Sequence, residues 1–319
     1  MQCIQALYGA VMWRPELKIS ESVIVAISVT QQHLSFFGVV GPISLRDTVD
    51  ETVLAEIREA MDKYAVLVFR DQQFTDDDQI AFAKRLDGEL HAKTGAAALT
   101  KNRLGTEAIT DISNVASDET LMKPDDRRRL YGLANRLWHT DASFQDPAGR
   151  YSMLHARVLP QDRADTLFGD MRAAYDGLDE GLKAELDGLQ CHHSIAYSRT
   201  TLGFEFSEEE REKLKGAVHP LIRTLPRAGR KALYLASHIS TIIGWEIPEA
   251  RILIKELMEH ATQPQFVHAH QWRDGDLVIY DNRATMHRAT RYDDANQRRE
   301  LRRVTTLDIA EVPIIVAAE

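Results

Sequence analysis

FVHAHQWRDGDLVIYDNRATMHRATRYDDANQRRELRRVTTLD, residues 266–308, holds four short β-patterned runs separated by turns. FVHAHQW (266–272) stops at the turn RDGD. LVIYDN (277–282), ATMHRAT (284–290) and RRELRRVTTLD (298–308) follow. Runs rich in Val, Ile, Thr and Tyr and bounded by Gly and Asp read as strands. Short strands with tight turns late in a chain predict a closed or two-sheet β core. Working outward, RYSMLHARVLP (150–160) alternates like a strand, and HPLIRTLPRAGRKALYLAS (219–237) reads as two strands around a Pro/Gly turn. AVLVFRD (65–71) has the continuous apolar run of a strand buried on both faces. CHHSIAYS (191–198) also looks strand-like. Helical spacing appears in DETVLAEIREAMDKY (50–64) and in the amphipathic PEARILIKELMEHATQ (248–263). TDDDQIAFAKRLDG (75–88) opens on a Thr75/Asp78 capping box, and TLFGDMRAAYDGLDEGLKAELDGL (166–189) passes from a strand end into helices. The predicted class is mainly β with flanking helices (α+β).

The bulk numbers narrow the function. With 44% hydrophobic and 27% charged residues among 319, the chain is globular and long enough for a large core. A net charge of −9 argues against nucleic acid or an anionic membrane surface as partner. No apolar run reaches the roughly 18 residues of a membrane helix. Two cysteines, Cys3 and Cys191, give neither a disulfide framework nor a Cys-based zinc site, in keeping with the cytoplasm. Residues 1–32 lack a basic n-region and a cleavage site. They are expected to be an N-terminal arm, disordered or a non-native extension, ahead of a single domain over 33–319. Between 89 and 135 the patterning weakens, as in an active-site loop, and DDRRR (125–129) inside it is expected to be a solvated face.

LWHTDASF (137–144) places His139 and Asp141 two apart, on one face of an extended segment. An imidazole and a carboxylate so placed can share an ion, although H-x-D alone is a weak signal. The third ligand is open among His192, His193, His219, His238, His268, His270 and His287. His287 stands out because it follows the strongest strand. Two histidines and one carboxylate leave coordination positions free, the arrangement of non-haem Fe(II) oxygenases. Eleven positions beyond His287 begins RRELRRVT. Alternation sets Arg298 and Arg302 on one face and Arg299 and Arg303 on the other. Arginines turned into a barrel require an anion. A surface strand paired with acids is the plain alternative.

NRLWHTDASF, ADTLFGDMRAAYDGL, DLVIYDNRATMHRATRYD and RRELRRVTTLD together resemble the taurine / 2,4-dichlorophenoxyacetate family of Fe(II)/2-oxoglutarate-dependent dioxygenases, over residues 33–309. The blocks are most similar to the 2,4-dichlorophenoxyacetate branch. RLDGEL (85–90) departs from the family's Phe-Gly-Pro turn. The resemblance implies a double-stranded β-helix (jelly-roll) core and iron ligands His139, Asp141 and His287. It implies Arg298 and Thr166 on the distal carboxylate of 2-oxoglutarate and Arg302 on the acidic group of the substrate. Asn135 would line the pocket, Trp138 would pack beside the iron, and His192 or His193 would meet the substrate. The implied cofactors are Fe(2+), 2-oxoglutarate and O2, with ascorbate as a stimulant. The implied reaction turns a small carboxylated aryl ether into a phenol and glyoxylate, with succinate and CO2 from the cosubstrate. A taurine-like sulfonate is the runner-up substrate. A non-catalytic anion- or metal-binding barrel and a hydrolytic zinc enzyme are the competing classes. A homo-oligomer is the expected assembly.

Overall fold

The computed structural model describes residues 27–46, 50–92 and 103–309. Among the described residues fifteen strands run in chain order: β1 Val29–Gln31, β2 Gly38–Val40, β3 Val66–Phe69, β4 Thr110–Ser113, β5 Gly149–Val158, β6 Thr166–Asp170, β7 Gln190–His193 and β8 Ala217–Pro220; then β9 Ile222–Leu225, β10 Arg230–Leu233, β11 Ile239–Ile242, β12 Val267–His270, β13 Leu277–Asp281, β14 Thr285–Ala289 and β15 Glu300–Leu307. Eight α-helices intervene: α1 Glu51–Tyr64, α2 Asp76–Asp87, α3 Arg127–Gly132, α4 Met171–Asp176, α5 Glu180–Leu186, α6 Ile195–Thr200, α7 Glu208–Lys213 and α8 Ile247–Ala261.

A seven-stranded sheet, in the order β1-β2-β3-β13-β5-β15-β4, faces a three-stranded sheet of order β12-β6-β14. Between them lie Val66, Val68, Leu154, Ala156, Val278, Tyr280 and Leu301 from the large sheet and Phe168 from the small one. The alternate residues Leu67, Phe69, Met153, Leu277, Ile279 and Val304 pack on the other face against Leu54, Ile57 and Met61 of α1 and Phe82 and Leu86 of α2. Both faces of β3 and β13 are therefore buried, which is why VLVF and LVIY are apolar without a break. The back of the small sheet is covered by α4, α8 and the sheet β11-β7-β8, with Met286, Met171, Leu257 and Ile239 in one cluster. This is the expected two-sheet β core with flanking helices.

The predicted helices form where local chemistry places them. Asp50 caps α1 through Val53 N, and Thr75 and Asp78 form the reciprocal capping box of α2. Two readings are corrected. CHHSIAYS is strand only as far as His193; Ser194 then caps the helix α6. Most of the N-terminal arm lies outside the described residues, but Val29–Gln31, assigned to it, pairs with β2 as an edge strand.

Candidate metal centre

Leu137–Phe144 crosses the mouth between the two sheets. His139 exchanges backbone hydrogen bonds with His287 of β14, N to O at 3.0 and 2.8 Å. Thr140 Oγ1 donates to Leu235 O and Thr285 O, and Asn282 Oδ1 accepts from Asp141 N at 3.1 Å. The bridge at His139 sets it beside His287, and a turn that begins at Asp141 brings that carboxylate to the same two rings. All three are buried. His139, Asp141 and His287 each offer a ligand atom, and these atoms lie within 4.8 Å of one another. Among the described residues this is the one such group of histidine, cysteine and carboxylate atoms.

The donor chemistry suits a divalent ion. His139 Nδ1 lies 2.8 Å from Leu137 O, which assigns the proton to Nδ1 and leaves Nε2 to ligate. His139 Nε2 stands 3.8 Å from Asp141 Oδ1, and His287 Nε2 stands 3.6 Å from Asp141 Oδ2. Burial pushes His139 below its ordinary pKa and His287 down to about 3, so both imidazoles are neutral. Burial works the other way on Asp141, but the Arg303 guanidinium, with the Tyr280 hydroxyl, overcomes it and holds the carboxyl below the usual range. Tyr280 Oη and Ser152 Oγ donate to Asp141 Oδ2 at 2.7 and 2.9 Å, and Arg303 Nη1 donates to Oδ1. All three ligand atoms are thus deprotonated, and His139 and Asp141 are held in orientation by hydrogen bonds.

Beside the trio opens a cavity of about 210 Å³. Its wall is apolar at Ile112, Met122, Leu133, Phe144 and Ile195. It is basic at Arg199 and Arg299, both buried, and at the half-buried Arg303. Arg299 has no carboxylate partner among the described residues. Its Nε is unsatisfied, and its guanidinium carbon sits 5.9 Å from the Tyr292 ring. Burial pushes it down to about 10.

The predicted residues divide. His139, Asp141 and Asn135 line this cavity, and His287 joins the first two in the trio beside it. Arg298 and Arg302 do not: Arg302 lies on the opposite face of β15, and Arg298, just before that strand, turns to the same acids. Arg298 is bound to Glu119 and Glu300, and Arg302 to Asp111 and Glu300. The expectation that these two face the pocket is corrected to Arg299 and Arg303. Thr166 shares the inner face of β6 with Phe168 and pairs with Ala289, a lining residue, but does not itself line the cavity. Its Oγ1 accepts from Trp272 Nε1 at 3.0 Å. His192 sits on β7 with its ring nitrogens at Ser240 Oγ and Lys215 O, and His193 is sealed against His219 and Tyr234. Neither reaches the cavity. Trp138 packs in the core behind β6 rather than along the cavity. Arg127 is solvated and paired with Glu210, as expected of DDRRR, whereas Arg128 and Arg129 border the cavity. Sequence reasoning missed Arg199 and Tyr131, and it named His238 only as one possible third ligand, whereas His238 lines the cavity. They carry no spacing signal, and Arg199 lies on the helix read as strand.

A His-Asp-His trio between two β-sheets, opening on a basic cavity, defines a metal-dependent oxygenase of the jelly-roll type. The family model described as "Taurine catabolism dioxygenase TauD, TfdA family" matches residues 29–305, and the chain belongs to that family. It is 46% identical over 276 residues to an alpha-ketoglutarate-dependent 2,4-dichlorophenoxyacetate dioxygenase of Burkholderia sp. (strain RASC), covering 86% of this chain and 92% of the relative. A protein of the same description from Cupriavidus pinatubonensis is 45% identical over 281 residues, with 88% and 97% covered. The crystal structure of AAD-2 in complex with Mn(II) and N-oxalylglycine superposes with a TM-score of 0.83 at 43% identity, covering 88% of this chain and 98% of that one.

Proposed function

We propose that this chain is an Fe(II)- and 2-oxoglutarate-dependent dioxygenase that hydroxylates a carboxylated aryl ether of the 2,4-dichlorophenoxyacetate kind. The observation that carries it is a deprotonated His139–Asp141–His287 set beside a cavity that also holds Arg299, a buried arginine with no carboxylate partner among the described residues. Similarity to 2,4-dichlorophenoxyacetate dioxygenases supports the substrate class.

His139, Asp141 and His287 would hold the iron, which with 2-oxoglutarate supplies the activation of O2 and the oxidation of a C–H bond. Arg299 takes the role first assigned to Arg298. Its planar fork suits the distal carboxylate of 2-oxoglutarate. Thr166, whose oxygen accepts from Trp272, stands behind the lining residue Ala289 rather than at the cavity wall. Arg303 ties down Asp141 and keeps the metal end of the cavity positive. Phe144, Ile195 and Leu133 offer an apolar wall to an aryl ring and exclude water from it. Hydroxylation of the carbon next to the ether oxygen gives a hemiacetal that collapses to a phenol and glyoxylate, so the chain needs no further acid or base. Succinate and CO2 leave from the cosubstrate, and ascorbate would keep the iron ferrous. Cytoplasmic residence agrees with the free, buried Cys191. Among the described residues no helix is long and apolar enough to cross a membrane.

The test is anaerobic loading with Fe(II) and 2-oxoglutarate, then exposure to O2 with 2,4-dichlorophenoxyacetate or taurine. The expected result is succinate, phenol and glyoxylate in equal amounts with the aryl ether. Succinate with taurine alone would move the substrate class to sulfonates. Absence of succinate with every acid would end the dioxygenase reading.

A further inference from the structure

Arg199 is only 4% exposed, yet it meets no acid among the described residues. Nη1 donates to Ser198 Oγ at 3.0 Å and Nη2 to Asn135 Oδ1 at 3.4 Å, while Nε has no partner. Its guanidinium carbon lies 4.7 Å from the Tyr131 ring, and the Tyr131 hydroxyl is itself buried without a partner. A cation stripped of water and given only neutral neighbours is costly unless an anion completes the site.

The anions that the site receives can be assigned one by one. Arg303 already holds Asp141. Arg299 answers the far carboxylate of 2-oxoglutarate in the reading above, and the near carboxylate of that diacid belongs at the metal. One buried arginine is left over, and one anion, the substrate's own. Arg199 is also at the appropriate end of the cavity. Ser198 Oγ joins it to His238 Nδ1 at 2.9 Å, and the His238 ring stands 5.9 Å from that of the metal ligand His139. Ile195, one helical turn before Arg199 on α6, and Phe144 give the same end an apolar wall.

We propose that Arg199 determines substrate specificity: with Asn135 and Tyr131 around it, its guanidinium binds the carboxylate of the prime substrate and places the adjacent carbon toward the metal. The proposal rests on the dioxygenase reading. It adds a residue from α6 to a site whose other buried arginine, Arg299, comes from just before β15.

The experiment uses the full chain loaded with Mn(II) and N-oxalylglycine. Wild type, Arg199→Met and Arg199→Lys are titrated calorimetrically with 2,4-dichlorophenoxyacetate and with its neutral amide. Loss of one charged pair in a buried site weakens the carboxylate by about 10- to 100-fold in Arg199→Met. The amide and N-oxalylglycine should shift by less than about two-fold, since neither faces the lost charge. Arg199→Lys should recover part of the carboxylate affinity but not all, because a lysine lacks the fork. The melting temperature of ligand-free Arg199→Met should equal or exceed that of wild type, because an uncompensated buried cation has gone. A structural role would instead lower it and weaken acid and amide together. That outcome, unchanged carboxylate affinity, or a wild type that does not bind the acid overturns the proposal. Failure of wild type to bind N-oxalylglycine identifies a failure of the dioxygenase reading instead.

Discussion

Arg298 and Arg299 are adjacent in sequence and opposite in environment. Arg298 is partly exposed and shares Glu119 and Glu300, so its removal leaves acids that still have Arg103 and Arg302. Arg299 is buried, faces the cavity and has no acid of its own among the described residues. If it grips the far end of 2-oxoglutarate, Arg299→Met raises the KM for 2-oxoglutarate by about 10- to 100-fold, the worth of a charge-assisted buried pair. Arg298→Ala leaves it within about two-fold, as exposed ion pairs contribute little. Steady-state succinate assays at saturating aryl ether distinguish the two. Equal effects from both variants would return the role to either face of the strand. The metal ligands escape that ambiguity, because the bridge His139–His287 and the turn that starts at Asp141 bring the three ligand atoms within 4.8 Å of one another.

At the scale of the element, β15 shows what the sequence could and could not reveal. RRELRRVTTLD declares a strand by its alternation, and the two arginine pairs declare that one pair faces inward. Which pair does so depends on the loop Thr290–Arg299, where a difference of one residue turns every later side chain to the other face. Counting eleven from His287 selects Arg298; the actual path of the loop selects Arg299. Only the pairing of β15 with β5 settles it, with Leu301 against Ala156 and Arg303 against Leu154. Helix α6 was obscured for a similar reason: IAYSRT follows a true strand without a break in composition, and its cap, Ser194, is a residue that strands also tolerate. By contrast, α1 and α2 were legible because periodicity and caps agree. The same sheet holds the metal segment in place at Gly149, the first residue of β5. A Cβ there would stand 2.9 Å from Thr305 Cγ2 and 3.1 Å from Asp141 O. Both neighbours are stiff, one β-branched and one backbone, so the strain falls on the metal loop. Gly149→Ala should cost about 1–3 kcal/mol of stability, as overpacking does, and weaken Mn(II) binding in a calorimetric titration. Unchanged metal affinity alongside a lowered melting temperature would show that β5 yields and the ligand segment does not.

Across the whole molecule, buried histidines dominate the response to mild acid. Burial lowers His155 and His268 to about 4, and it pushes His193 and His238 well below their ordinary value. His91, His219 and His270 are lowered as well, again chiefly by burial. In each case the unfolded chain takes up its proton near pH 6.5 while the folded chain refuses it until lower pH. Between about 6.5 and 4 the unfolded state therefore binds more protons, and stability rises with pH. The stabilisation is complete above about 6.5 and is lost as pH falls toward the folded values. Asp87, pushed up to about 6 by burial against the pull of Arg150 and Thr306, works in the opposite direction. It accepts a proton more readily when folded, and so offsets one histidine but not the group. Carboxylates held low, such as Asp276 and Asp281, enter only below this window. For EDTA-treated protein, the urea midpoint should be nearly flat from pH 8 to 6.5 and then fall steeply to pH 5. Each buried histidine contributes a slope of about 1.4 kcal/mol per pH unit across its window. His155, 2% exposed with Nε2 set at Gln72 O, is the cleanest single contributor. His155→Gln, which keeps a donor and cannot be protonated, should reduce the slope by about one proton's worth. A midpoint that stays level between pH 6.5 and 5 would mean these histidines find water or a counter-charge in the folded chain, and the dry interior described for both faces of the main sheet would be wrong.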